Sequence, residues 1–519
     1  MTKNHGVKYS EEKMKKRTVA VILAALMLAS SFASCSNNSS VDNQDNANET
    51  SASTEVKEAE ETEPAEEVDD IDARKAISDD LPDTKFDGRE YRILTTEGGA
   101  IYGFDYSSEI IAEELTGDAC NDAVYNRNID IETRFDTKIT CQTNTSPSTY
   151  IGTFVQSGTD EFEVVGMYNF LAFNAINSGA VYNWCEVPHI NLEKPWHNSL
   201  ANTSATINGR LYAICSDLAI TSMLYTHAFF FNSTLLEQYG TSADDMYNLV
   251  KEGKWTIDKA IEITSPIYED LDGNGQRDAS DRYGFGYSIW NAADVWLAAF
   301  DQPICKTSDE GVEMTFMTDK TTAIVEKLCK WHYDTNCFFN YPNIYEEETR
   351  MRDGTLVFAP IRFKACFDAL RDMEDPYCMI PYPKWDEAQA QYLTNADDKF
   401  TVFSVPLTAV NSLDFVGTIY EALSAESYKT VYPTYYDTAL KGKYSSDPTT
   451  AEMVDLIMAG RNFDFSFQFA ESCFKQIPYW VRQALQSNDP NIASKYASIQ
   501  KALNKSIEKT LYPVYGLSN

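Results

Sequence analysis

Basic residues and histidine are scarce in this chain. Its 519 residues include 43 Lys and Arg against 78 Asp and Glu, a formal net charge of −35, and only five His. That balance excludes a nucleic-acid partner, because phosphate binding needs clustered Lys and Arg. No H-E-x-x-H occurs, so a histidine-rich zinc site has no basis. Neither G-x-S-x-G nor a Walker-type phosphate loop is present. There are eleven cysteines, but none stands in C-x-x-C, which argues against a zinc ribbon or a thioredoxin-type redox site. The apolar run over residues 19–29 is well short of the roughly 20 residues that span a bilayer. A glycoside hydrolase would need two carboxylates flanking one bond. Acidic residues are abundant, but no local motif marks such a pair.

At the start of the chain, Lys15, Lys16 and Arg17 precede that apolar run, and Ser31-Phe32-Ala33-Ser34 leads into Cys35. A basic segment, a short apolar segment and a small-residue cleavage zone make a secretory signal. The cysteine in this setting resembles a bacterial lipobox, in which a peptidase cuts before the cysteine and a lipid on its sulfur anchors the mature protein. Residues 1–34 are therefore expected to be a lipoprotein signal peptide, Cys35 the lipidation site, and the outer face of the cell membrane the location. Met14 opens a complete signal by itself and is an alternative start to Met1. The plainer alternative is an ordinary signal with a chance cysteine. Residues 35–84 follow as an acidic tether of Ser, Asn, Asp, Glu, Thr and Ala, too poor in large apolar residues to offset its ordering entropy. Its like charges extend it.

Removing signal and tether leaves about 435 residues, more than one core usually serves, so two lobes are expected. Aromatics are 13% of residues, which favours a body with stacking surfaces. Residues 89–95 alternate as a first strand. Residues 162–165, 211–214 and 228–231 read as further strands, and residues 109–134, 321–331, 415–427, 453–461 and 492–509 as helices. Alternating strands and helices indicate α/β architecture with open, mostly parallel sheets. The ten cysteines beyond Cys35 are compatible with disulfides in an exported chain or with buried free thiols.

Residues 270–281 match the register of a calcium loop: Asp270, Asp272, Asn274, Asp278 and Asp281 fall at positions 1, 3, 5, 9 and 12, and Gly275 at 6. Gln276, at position 7, would contribute its backbone carbonyl. One tight turn then gathers several oxygens around a hard cation. Asp281 stands where such loops usually carry Glu, which weakens bidentate closure. The expected cofactor is a structural Ca²⁺; the alternative is an acidic surface turn.

Several segments together carry a resemblance. Glu114-Leu115-Thr116-Gly117-Asp118 followed by residues 121–128, Asn208-Gly209-Arg210-Leu211-Tyr212-Ala213, Phe230-Phe231-Asn232, Gly253-Lys254-Trp255-Thr256, Asp281-Arg282-Tyr283-Gly284, residues 381–387 and Glu426-Ser427-Tyr428-Lys429 occur in an order that resembles the extracellular solute-binding proteins of bacterial ABC importers, in the carbohydrate-type group related to maltose-binding protein. The resemblance covers nearly the whole chain after the tether. It implies a type II, two-lobed periplasmic-binding-protein-like fold with a ligand cleft between the lobes, hinge closure around a solute, docking on ABC permease subunits, a monomer, and no enzymatic activity. Lobe one would hold residues 85–221 plus 401–439, and lobe two residues 222–400 plus 440–519.

Sugars are held by aromatic faces stacked on their C–H surfaces and by polar groups that fix their hydroxyls. Trp290 and Trp296 follow the calcium-type loop, where this group places cleft aromatics; core packing is the alternative. Tyr168 follows a strand end that faces the crevice of an open sheet. Asp217 would accept from sugar hydroxyls or cap a helix. Arg362 would fork onto a hydroxyl pair or a carboxylate, or make a structural ion pair. The expected function is capture of a small solute, a carbohydrate in the first instance, for an importer. A surface glycan-binding lipoprotein without a transport role is the first alternative, and a surface glycoside hydrolase the second.

Overall fold

A computed structural model of the chain describes residues 70–99, 104–443 and 448–518. The signal segment, Cys35 and the tether as far as residue 69 lie outside the described residues. In chain order the strands are β1 (Arg89–Thr96), β2 (Thr137–Asn144), β3 (Val164–Tyr168), β4 (Val181–Tyr182), β5 (His227–Asn232), β6 (Tyr268–Glu269), β7 (Arg282–Tyr287), β8 (Cys305–Ser308), β9 (Gly311–Met314), β10 (Phe338–Asn340), β11 (Leu356–Arg362), β12 (Tyr377–Ile380), β13 (Thr394–Asn395), β14 (Thr401–Pro406) and β15 (Arg461–Asn462). Two main sheets result, β2-β1-β3-β14-β4 in lobe one and β10-β7-β11-β5-β12 in lobe two.

Both sheets are mixed rather than mostly parallel. In lobe one β2, β1 and β3 are parallel, whereas β14 returns antiparallel to β3 and β4 pairs antiparallel to β14. In lobe two β10, β7 and β11 are parallel, and β5 runs antiparallel to both its neighbours, β11 and β12. The reversed strands flank the segments that pass between lobes. Among the described residues, three crossings lie together: residues 217–226 leading into β5, residues 396–400 leading into β14, and a largely π-helical stretch from Ser427 to Lys443; the chain passes between the lobes again after residue 448.

Local chemistry explains the element starts. The expected helix over 109–134 begins only at Ala119, because the Asp118 side chain caps Cys120 and Asn121 and Gly117 takes the left-handed turn (φ +83°) that a helix cannot contain. Ser242 and Asp245 form a reciprocal capping box on the helix Ala243–Lys251. β5, His-Ala-Phe-Phe-Phe-Asn, is buried at every position because it runs inside a sheet covered on both faces. Residues 211–214 do not form the expected strand; Ile214 makes a single bridge to Phe403.

Two boundaries differ from expectation. Residues 70–84, assigned to the tether, already engage lobe one: a short helix Asp70–Lys75 lays Arg74 over Tyr428 and Tyr432, Asp79 pairs with Arg134, and Asp80 pairs with Lys194 at 2.6 Å. The end of the chain, assigned to lobe two, returns to lobe one, where Arg210 and Asn208 donate to the carbonyls of Val514 and Tyr515 at 3.0 and 2.9 Å. The ten cysteines beyond Cys35 are all free thiols, seven of them buried.

Candidate functional site

The carboxyl ends of β3, β7 and β11 point toward the junction of the lobes, and a cluster of aromatic and charged side chains forms there. From lobe one, Tyr168 stacks on Phe170 (5.7 Å between ring centres, 14°) and meets the edge of Tyr106 at 5.0 Å. Tyr106 and Tyr225 share a hydrogen bond of 2.7 Å, and Tyr225 stands on the first crossing. From lobe two, Arg362 lies between two rings, 3.6 Å from the centre of Tyr345 and 5.0 Å from that of Tyr225. The second crossing adds Asp397, Asp398 and Lys399. Asp397 accepts from Asn291 Nδ2 at 2.5 Å and from Lys399 Nζ at 3.3 Å. Tyr479 donates to Asp398 at 2.9 Å. Arg482 sits over both Trp290 (4.4 Å) and Tyr479 (4.3 Å) and pairs with Asp294 at 3.4 Å.

Several buried polar atoms of this cluster have no hydrogen-bond partner: Arg362 Nε and Nη1, both ring nitrogens of His227, and Asp294 Oδ1. Arg362 is 2% exposed, and its nearest carboxylates, Glu348 at 3.6 Å and Asp397 at 3.8 Å, stand beyond hydrogen-bond reach. Burial pushes the Asp294 carboxyl well above its usual range, Arg482 pulling the other way. Burial also acts on Asp397, but Lys399 and Arg362 outweigh it and hold that carboxylate below its usual range. Burial drives His227 down to about 3, so it is neutral. The aromatic row continues through Phe104, 5.2 Å from Tyr106, into a groove of about 580 Å³ lined by Phe104, Asp118, Leu224, Lys364, Phe367 and Tyr435. Both lobes and the third crossing contribute to that groove.

Tyr168, Trp290 and Arg362, singled out from sequence, come together here. Trp290 is 39% exposed, with Arg482 over its ring. Trp296 does not belong to the site. It is fully buried in lobe two among Phe229, Phe285, Phe300, Trp331 and Tyr382, and its Nε1 donates to Tyr287. Asp217 stands apart on the first crossing and caps no helix; burial raises its carboxyl to about 7, against Arg461 and Arg74. Sequence reading missed Tyr225, Tyr345, Asp294, Asp397, Lys399, Tyr479 and Arg482. The one local signal for any of them was the run Asp397-Asp398-Lys399 just ahead of a strand.

In the calcium-type loop, one carboxylate oxygen from each of Asp270, Asp272 and Asp281 lies within 4.8 Å of the others. Asp270 accepts from the N–H groups of Gly273 and Gly275, and Gly275 has φ +72°. Asp281 is fully buried. Its Oδ2 accepts from Tyr268 and from the Asp278 N–H, both at 3.1 Å, whereas its Oδ1 has no partner. Asp278 turns to Ser280 N–H and Asn274 instead of joining the three.

No known family's profile matches the chain, and no curated protein matches its sequence. Among solved structures the fold is similar to that of the GacH receptor of Streptomyces glaucescens GLA.O, with a TM-score of 0.51 at 12% identity over 81% of this chain and 98% of that one. That receptor was solved unliganded and in complex with acarbose and an acarbose homolog, and was compared with acarbose-loaded maltose binding protein of Salmonella typhimurium. The similarity establishes the fold class: mixed α/β, two-lobed and like that of maltose-binding protein.

Proposed function

We propose that this protein is a lipid-anchored extracellular solute-binding protein that captures a carbohydrate between its lobes for an ABC importer and performs no chemistry on it. One observation carries the reading. Buried donors without acceptors (Arg362 Nε and Nη1) and a buried acceptor without a donor (Asp294 Oδ1) share one aromatic-walled cluster. Leaving such groups unpaired costs about 1–3 kcal/mol each. A sugar hydroxyl both donates and accepts, so one ligand can satisfy the whole set, while its C–H faces stack on rings such as Trp290. The likeness to an acarbose-binding receptor supports the same ligand class. The signal, Cys35 and the acidic tether support export and anchoring; permease docking follows from the resemblance. A surface glycan-binding lipoprotein without a permease is the alternative.

The test is a thermal-shift screen of residues 70–519 against mono- and oligosaccharides, acarbose included. A ligand at 100 times its Kd stabilises the folded state by about 2.7 kcal/mol. A shift without turnover of the sugar is the expected result. Silence across the panel removes the carbohydrate assignment, and consumption of a glycan replaces the binding protein with an enzyme.

The residues of the loop over 270–281 fit a structural Ca²⁺. Asp270, Asp272 and Asp281 would hold it, with the Gln276 carbonyl completing the turn, and the free Oδ1 of Asp281 is the observation in favour. Tyr268 and Tyr283 lie beside Asp281, so bound Tb³⁺ should luminesce on tyrosine excitation. Asp281→Asn should abolish both the luminescence and any Ca²⁺-dependent rise in Tm. A wild-type protein that shows neither leaves the loop as an acidic turn.

A further inference from the structure

Two crossings between the lobes meet at one buried carboxylate and a third is held beside it by a buried arginine, a feature that the ligand reading does not use. Glu109 is 1% exposed. Its Oε2 accepts from the backbone N–H of Thr221, on the first crossing, at 3.1 Å. Its Oε1 accepts from the hydroxyl of Thr401, where the second crossing enters β14. The two threonines are also joined directly: the Thr401 N–H donates to Thr221 Oγ1 at 3.0 Å. The backbone carbonyl of Glu109 accepts from Arg127 Nη1 at 3.1 Å, and the same nitrogen donates to Ser427 Oγ, also at 3.1 Å. Ser427 is the first residue of the π-helical third crossing. Arg127 is itself 1% exposed. One acid and one base of lobe one thus hold the lobe-one ends of these three crossings.

Beyond this clasp the first two crossings run side by side. Thr226 bridges Ala396, and the Asp397 N–H donates to the Tyr225 carbonyl at 2.9 Å. Tyr225 and Asp397 are also two of the residues that surround Arg362 in the candidate site. From this geometry we infer that Glu109 is a positioning residue for lobe closure. By fixing the first two crossings at lobe one, beside the third that Arg127 holds, it confines their bending to the stretch that carries Tyr225 and Asp397, so that contact with ligand and lobe separation change together. This rests on the binding-protein reading only for its use; the mechanical claim does not need a ligand.

Burial raises the Glu109 carboxyl to about 7, with Thr401, Thr221 and Arg127 opposing the rise. The other titratable groups that act on it or feel it are Cys141 of β2, Cys215 ahead of the first crossing, and Tyr435 of the third. The ionised form accepts from both threonines. The protonated form surrenders one acceptor site, so the clasp weakens as pH falls through 7.

Dyes on genetically encoded side chains at Ile129 in lobe one and Tyr239 in lobe two, both exposed, report lobe separation in the ligand-free protein by single-molecule energy transfer. The wild type should give one narrow distribution at pH 8 that broadens toward pH 6. Glu109→Gln should lose that pH response. Thr401→Val, which removes the hydroxyl's bonds to Glu109 and Thr221 with little change in volume, should be broad at both pH values. With acarbose as probe, Thr401→Val should bind about fivefold more weakly than wild type, the size of an ordinary coupling between distant groups. If Glu109→Gln does not fold, Thr401→Val decides alone. Folded variants with the wild-type distribution and the wild-type pH response overturn the inference. A failure of acarbose to bind bears only on the ligand class, because the separation measurement uses no ligand.

Discussion

Lobe two and the lobe junction are both packed with aromatic rings, yet they treat polar atoms in opposite ways. In the lobe-two core, Phe285 stacks on Trp331 at 4.1 Å and 6°, and Phe229, Trp255, Trp296, Phe358 and Tyr382 close around them. The polar edges of these rings are paired, although Tyr341 Oη and Ser265 Oγ elsewhere in lobe two are not. Trp255 donates to the Pro381 carbonyl, Trp331 to Thr264, Tyr382 to the Ala292 carbonyl, and Trp296 to Tyr287. At the junction, Arg362, His227 and Asp294 keep buried atoms with no partner. A folded chain seldom leaves such groups unpaired. A paired aromatic cluster is complete as a core, whereas an unpaired one lacks a component that must come from outside.

The two tryptophans test that difference most directly. Trp296→Ala should cost about 3–5 kcal/mol in denaturant unfolding, the usual cost of removing a buried aromatic. Trp290→Ala, at a ring 39% exposed, should cost less than about 1 kcal/mol and instead abolish the saccharide-induced thermal shift. Equal losses of stability would place Trp290 in the core with its neighbour. Arg362→Lys is the next step down. It keeps the charge but loses the flat guanidinium between Tyr225 and Tyr345. Stability should change by no more than about 1.5 kcal/mol and acarbose affinity should fall at least tenfold by titration calorimetry, about 1.4 kcal/mol. An unchanged affinity would make Arg362 a structural ion pair with Glu348 and Asp397.

These pairs also show what sequence can and cannot carry. The α/β class, β1, the aliphatic-aromatic β5 and the long helices were legible because each is a local pattern of period or continuous burial. Trp290 and Trp296 are six positions apart with similar neighbours, so nothing local separates them. Their fates diverge because β7 ends at Tyr287 and the backbone turns between them, leaving one ring at the rim and carrying the other inward. The cluster around Arg362 draws Tyr225, Asn291, Tyr345, Asp397 and Arg482 from five segments, and its chemistry exists only once the crossings bring them together. The start of the first long helix was misplaced because helix-like spacing of apolar residues continues through a loop that Gly117 and Asp118 interrupt.

The same contrast divides two buried histidines, both driven by burial to about 3 and hence neutral. His332, in the lobe-two core, is fully used. Its Nδ1 faces the Leu328 carbonyl at 2.7 Å and must carry the proton, so Nε2 accepts from Tyr287, which in turn accepts from Trp296. His227, at the junction, uses neither nitrogen. Between about pH 6.5 and 3 the unfolded chain binds a proton at each histidine that the folded chain refuses, so stability falls with falling pH by about 1.4 kcal/mol per pH unit for each. Replacing either one by Phe should remove one such slope from the acid limb. At pH 8 the two replacements should part. His332→Phe strands the Tyr287 hydroxyl and should cost about 1–3 kcal/mol, whereas His227→Phe removes a group that was already unpaired and should be close to neutral. The comparison of Tm at pH 8 and pH 5 for both variants checks this. A large loss from His227→Phe at pH 8 would mean that His227 is satisfied in solution by ordered water, and the junction would then be nearer to the core in kind than its unpaired atoms imply.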